Sequence, residues 1–390
     1  MKLTTLPKQE AVLPPLREDL RLIAGASAAD GSPTWVIADP VRGKYFQIGW
    51  AAYQILSRWS GRSAEAVLSQ IHADTTCRAT AQDIDDLLRF LYRNHLMREP
   101  LQGGYRAYAA QAEAARPQWL MWLVHHYLFF QIPLVRPDRF LRATLPFVEW
   151  LFSKSVAWIV VLIGLAGVYL VSRQWGVFTA TIVHFFTPRG LALYALSLAL
   201  VKVFHELGHA YTATRYGCRV PTMGIAMLVM VPMLYSDTSD AWKLPSRRQR
   251  AAIGAAGMIV ECALAALAIF AWNFLDDGVA RSLVFIVATT SLMVGAAINL
   301  SPFMRFDGYF VLSDWLGIPN LHERAFAFGR WQLRRLLLGL DRPMPVPASA
   351  TQRRFLVYFA WGVWAYRFML FFGIALMVYH YFFKLLGLIL

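Results

Sequence analysis

The sequence predicts a mainly α-helical, polytopic membrane protein with a small cytoplasmic α+β domain of winged-helix type at its N-terminus. Three observations predict it. Of 390 residues, 57% are hydrophobic and only 16% charged, whereas soluble domains carry roughly a quarter charged residues. The first hundred or so positions read as soluble, and the remainder contains long uncharged runs. The basic residues mostly flank those runs, as expected of a multi-pass protein.

Residues 1–16 read as a tail and 17–100 as the α+β domain. Thr34–Ala38 and Tyr45–Ile48 flank the turn-rich Asp39-Pro40-Val41-Arg42-Gly43 and predict a hairpin. Helical stretches follow near 51–59, 63–73 and 81–93. The last opens with Thr80 and Asp83 in capping-box spacing and carries the stripe Ile84, Leu87, Leu88 and Leu91. A hairpin with three helices suits a winged-helix module.

Residues 101–154 read as a linker. Within it, Trp119–Ile132 is too short for the ~20 residues a span requires. Trp119, Trp122 and Tyr127 predict a helix lying at the interface, ended by Pro133. A membrane domain occupies 155–390, with spans expected at about 155–172, 190–214, 251–274 and 282–303. Val220–Tyr235 is apolar but broken by Pro221, Gly224 and Pro232, and reads as a re-entrant segment. Leu321–Leu340 suits an amphipathic surface helix. Phe355–Leu390 is apolar apart from Arg367 and Lys384, and is either one overlong helix or a short hairpin.

Net charge is +14, and its distribution sets orientation. Arg136, Arg139, Arg142 and Lys154 precede the first span; Arg215 and Arg219 follow the second. Lys243, Arg247, Arg248 and Arg250 precede the third; Arg305, Arg324, Arg330, Arg334 and Arg335 follow the fourth. The alternate loops hold only Arg173, Arg189 and Arg281. This bias places the N-terminal domain in the cytoplasm. Cys77, Cys218 and Cys262 have neither metal-type spacing nor a disulfide pattern. Met1–Leu6 lacks an apolar signal core, so no cleaved signal peptide is expected.

The strongest chemical signal is His205-Glu206-Leu207-Gly208-His209. Positions i and i+4 of a helix share a face, so two imidazoles can meet one ion. Glu206 lies within reach of water at that ion and can take its proton. Random placement gives about 0.005 such motifs in a chain of this composition. Ionisable groups within an apolar span are costly, which further weakens an accidental origin. A catalytic zinc takes three protein ligands and one open position. Asp307 is the third candidate, at the end of the fourth expected span and on the same predicted side as His205 and His209.

Together, His205–His209 and Asn299–Gly308 resemble the site-2 protease family of intramembrane metalloproteases, over about 155–315. That family has a HExxH helix and a later N-x-x-P-x-x-x-x-D-G pattern. The resemblance implies Zn2+ held by His205, His209 and Asp307, Glu206 as the general base, and Asn299 as a residue holding the substrate backbone. Leu234–Trp242 further resembles a stretch of bacterial peptide zinc metalloproteases, members of which sit beside HlyD-like export proteins. Residues 34–97 resemble PqqD, a winged-helix module that captures leader peptides along a sheet edge. These likenesses imply a multi-pass protein of the bacterial inner membrane that acts on a peptide or membrane-protein substrate, in peptide maturation or export.

The alternative is a non-catalytic membrane subunit of a peptide export complex; an intact Glu206 favours the enzyme. A transporter with paired half-site helices predicts internal repeats, and the sequence shows none. For the N-terminal domain the alternative is DNA binding. Arg89, Arg93 and Arg98 are balanced there by Asp83, Asp85, Asp86 and Glu99, so no nucleic-acid partner is expected. Asp237 and Asp240 either line a substrate entrance or cap backbone. Glu261 either meets an active-site cavity or sits protonated between helices. His125 and His126 read as solvated, His184 has no assigned role, and Arg367 snorkels or marks a turn.

Overall fold

The computed structural model of the protein describes residues 12–27, 31–59, 62–98, 129–181, 188–228, 231–295, 299–340, 343–346 and 348–389. In chain order they form strands β1 (Arg21–Ala24), β2 (Trp35–Asp39) and β3 (Lys44–Ile48), then helices α1 (Trp50–Ser57), α2 (Ala64–Asp74) and α3 (Ala81–Arg93). Strand β4 (Phe129–Val135) leads into α4 (Asp138–Val148), α5 (Lys154–Arg173), α6 (Trp175–Ala180) and α7 (Pro188–Arg215). Strands β5 (Met223–Leu228) and β6 (Val231–Ser236) precede α8 (Arg247–Trp272), α9 (Val279–Val294), α10 (Asp307–Leu316), α11 (Leu321–Leu338) and α12 (Ala350–Ile389). The chain divides into two compact units, Met1–Ala157 with Lys202–Ile253, and Trp158–Val201 with Gly254–Leu390.

In the first unit, β1-β2-β3 is an antiparallel meander, with β2 central and Val36, Ile37 and Ala38 buried. Helices α1–α3 close a core of Ile37, Ile48, Ile55, Val67, Ile71, Ile84, Leu87 and Leu91. The expected hairpin and three helices are therefore present, joined by β1, which the sequence reading placed in no element. The capping box forms as expected: the Thr80 hydroxyl accepts from the Asp83 N–H, and Asp83 accepts from the Thr80 N–H. Of the expected stripe, Ile84, Leu87 and Leu91 are buried and Leu88 packs at the margin. At the turn of the hairpin, Asp39 takes both Arg17 at 2.9 Å and Arg42 at 2.6 Å, with its own side chain inaccessible to solvent.

A second antiparallel sheet in this unit has the order β4-β5-β6. It corrects one expectation. Phe129–Ile132 belongs to a strand that runs through Pro133, where an interfacial helix was expected. Residues 119–128, with His125 and His126, lie outside the described residues, as does His184. Pro133 is tolerated because β4 is an outer strand and its register shifts between Pro133 and Val135. The segment read as re-entrant, Val220–Tyr235, is largely the β5–β6 hairpin. Gly224 lies opposite Pro133, and a Cβ there would sit 2.0 Å from the Ile132 carbonyl oxygen. Only glycine lets β4 and β5 approach so closely.

In the second unit, α5, α6, α8 and α9 meet around Val171, Phe178, Ala268, Ile269, Trp272 and Phe285. Among the described residues, four helices are long and apolar enough to cross a membrane: Lys154–Arg173, Gly190–Arg215, Arg247–Trp272 and Ala350–Phe383. Three match expected spans. The fourth expected span, 282–303, contains α9, which is described to Val294, and residues 296–298 lie outside the described residues. The apolar run does continue, but 300–305 is a series of turns around Pro302, which cannot prolong a helix.

The C-terminal segment is one continuous helix of 40 residues, α12. Its first half packs Leu356, Phe359, Ala360 and Val363 against Leu321, Ala325 and Phe328 of α11. Its second half, from Phe368 to Phe383, exposes nearly every apolar side chain. Only 6% of its most apolar stretch is buried within the chain. So much contiguous apolar surface is unfavourable in water and calls for a lipid environment.

Candidate metal centre

Helix α7 carries the motif, and its C-terminal half packs into a buried cluster of the first unit. Ala210 and Ala213 are fully buried with Leu141 of α4, Cys218, Val220 and Ile253 of α8. The Thr144 and Tyr211 hydroxyls share a hydrogen bond of 2.8 Å. Burial pushes the Cys218 thiol up to about 11, so it behaves as a packing residue rather than as a thiolate ligand.

This packing turns His205 and His209 onto one face, both buried. Their Nε2 atoms lie 3.0 Å apart. His209 Nδ1 is 2.7 Å from the carbonyl oxygen of Ile253. A carbonyl can only accept, so Nδ1 carries the proton and Nε2 presents its lone pair. A backbone carbonyl orienting the far nitrogen is a common second partner of metal-binding histidine. Two imidazoles on a tetrahedral zinc, each at about 2.0–2.1 Å, place their nitrogens about 3.3 Å apart. The observed pair is within a few tenths of an ångström of that spacing. His205 and His209 offer two imidazole nitrogens in the first unit, and Asp307 a carboxylate at the start of α10 in the second. Two nitrogens and one carboxylate suit zinc chemically.

Asp307 is the first residue of α10, a position that favours an acidic side chain. The glycine after it is a steric requirement. A Cβ on Gly308 would fall 2.4 Å from the Leu300 carbonyl oxygen and 2.8 Å from that of Asn299. Asn299 is buried, and its amide nitrogen lies 3.4 Å from each carboxylate oxygen of Glu261. Glu261, open between two readings in the sequence, is itself buried beside that asparagine.

Glu206 is half-buried. The Ser236 hydroxyl, at the end of β6, donates to its Oε2 at 2.6 Å. Sequence reasoning assigned Ser236 no role, because a serine in an apolar hairpin carries no spacing signal toward a helix 30 residues earlier.

Asp237 and Asp240 act as backbone caps. Asp237 accepts from the Ser239 N–H at 3.0 Å and Asp240 from the Arg219 N–H at 2.7 Å. Asp240 also accepts from the Tyr45 hydroxyl of β3 at 2.6 Å and pairs with Lys243. Burial pushes the Asp240 carboxyl up, but these donors outweigh it and hold the group below the usual carboxylate range. The same burial, with Asp240 beside it, pushes the Tyr45 phenol up.

No curated protein and no solved structure matches the chain. One family does. Its match takes in the His205–His209 motif, Ser236 and Glu261, and ends before Asn299 and Asp307. Over residues 193–278 the chain matches the model of Peptidase family M50, a family of zinc metalloproteases, so the sequence likeness and the buried histidine pair fall on the same helix.

Proposed function

We propose that the protein is a membrane-embedded zinc endopeptidase of site-2 type that cuts a peptide or membrane-associated protein near the cytoplasmic face. The observation that carries this reading is the buried His205–His209 pair, with its Nε2 atoms 3.0 Å apart and Glu206 beside it. His205, His209 and Asp307 would hold the ion. When bound, zinc lowers the pKa of water toward 7 and polarises a carbonyl oxygen. Glu206 takes the proton of the attacking water and returns it to the leaving amine. Asn299, held beside Glu261, donates to or accepts from the substrate backbone.

The substrate must be extended at the cut, because helical hydrogen bonds shield its carbonyls. Among the described residues strand β6 is an outer strand of its sheet, and an outer strand accepts another along its edge. We read β6 as the surface along which an extended segment lies before cleavage. The N-terminal module, with β3 as an outer strand of its own sheet, is read as a PqqD-like capture domain for a peptide precursor. A HlyD-like export protein is the partner expected for release of the product. The bacterial inner membrane, with the N-terminal domain in the cytoplasm, is the location that the Arg and Lys bias supports.

The test is the Glu206→Gln protein. It keeps both imidazoles and should retain zinc while losing cleavage of a co-expressed precursor by at least 100-fold. Full cleavage by that variant would defeat the mechanism.

A further inference from the structure

We propose that Ser236 is a positioning residue for the general base: its hydroxyl, fixed at the end of β6, holds the carboxylate of Glu206 in its working orientation. The inference rests on the proposed hydrolytic reaction and adds a residue to it.

Three observations carry it. The contact is short and charge-assisted, Oγ to Oε2 at 2.6 Å, and such bonds are roughly twice as strong as neutral ones. The donor is held independently of the bond it makes. Ser236 pairs with Met223 across the sheet, and the next residue is pinned by its N–H to the Thr222 carbonyl at 2.9 Å. The serine backbone therefore stays in place without its hydroxyl. The acceptor is a long, half-buried side chain with several rotatable bonds. Binding one carboxylate oxygen selects one rotamer and leaves the second oxygen for the proton, which is how a fixed neighbour pre-organises a catalytic group.

A link between sheet and base follows. Strand β6 has β5 on one side and, among the described residues, no strand on the other. The residue that ends this open edge is also the one that holds Glu206. A segment lying along β6 would reach the base at that hydroxyl.

The experiment uses the purified full chain in detergent micelles and two readouts. In infrared difference spectra, Ser236→Ala minus wild type should show a shift of the carboxylate stretching bands. The shift should vanish when both proteins also carry Glu206→Gln, and Ser236→Thr, which keeps the hydroxyl, should not produce it. With fluorescein-labelled casein as the probe, Ser236→Ala should lower kcat about 10- to 100-fold, part of the ~10²–10⁴ a general base supplies. KM and zinc content should be unchanged, and Ser236→Thr should restore most of the rate. No carboxylate shift, or one that persists in the Glu206→Gln background, overturns the proposal. So does an unchanged kcat in Ser236→Ala while Glu206→Gln is inactive. If Glu206→Gln itself cleaves normally, the hydrolytic reading falls, whereas the infrared result still decides who holds the carboxylate.

Discussion

The described residues form two three-stranded antiparallel sheets that differ in what they serve. The first, β1-β2-β3, buries its central strand against three helices and supplies the core of its own domain. The second, β4-β5-β6, ends on a hydroxyl that holds the carboxylate of Glu206. One sheet stabilises; the other is positioned to act on a reaction. Substitutions in the first should therefore cost stability without touching the metal, and those in the second should cost activity without unfolding the N-terminal domain.

The sharpest break comes from Gly224→Val. Its Cβ would meet the Ile132 carbonyl oxygen at 2.0 Å and the Leu134 nitrogen at 2.9 Å, both backbone atoms. Strand β4 must detach or shift. Cleavage should fall by at least 100-fold, with amide exchange of residues 35–48 unchanged. Normal activity would show that the second sheet does not serve the site.

Next is Asp39→Ala in the first sheet. It leaves Arg17 and Arg42 without their shared, solvent-inaccessible partner, a loss of about 3 kcal/mol by the usual cost of breaking a buried pair. Amide exchange across 35–48 should speed accordingly, while zinc content stays the same. Exchange at the wild-type rate would break the assignment.

The same carboxylate sets a pH dependence. Burial pushes Asp39 up, but hydrogen bonds from Arg17 and Arg42 outweigh it, so the folded group titrates below its ordinary value. Its contribution is complete above about pH 4, the unfolded value. It is lost as pH falls through the lower folded value. Protection of 35–48 should decline below about pH 4 in wild type, and that component should be missing from Asp39→Asn.

The smallest effect is at the helix that backs the first sheet. Thr80→Ala removes half of the capping box and should cost about 1 kcal/mol, read as faster exchange in α3 alone.

The two sheets also show what a sequence discloses. The first was legible because β2 and β3 flank a turn of Asp, Pro and Gly, and α3 carries both a capping pair and a 3.6-residue stripe. Strand β4 was not. Phe129–Val135 is a short run, apolar but for Gln131 and Pro133, and periodicity cannot separate a strand from a helix over so few residues. The β5–β6 hairpin was legible as irregular backbone through Pro221, Gly224 and Pro232, but the strand pairing that makes it a sheet is not a local property. The end of the fourth expected span was misplaced by a few residues, because hydropathy counts residues to 303 whereas 300–305 is a series of turns around Pro302. The metal motif was legible because its spacing is helical and its residues are expensive in an apolar run. Glu261 was legible as a costly carboxylate in an apolar run but not its neighbour Asn299, and Ser236 was not legible, since its meaning comes only from Glu206, distant in sequence.

The central claim concerns three side chains and one ion, and metal analysis of the purified full chain tests it most directly. One zinc per chain is expected, with His205→Ala, His209→Ala and Asp307→Ala each weakening retention at least tenfold. A chain that binds no zinc, or a His205→Ala/His209→Ala double variant that retains it fully, would contradict the account.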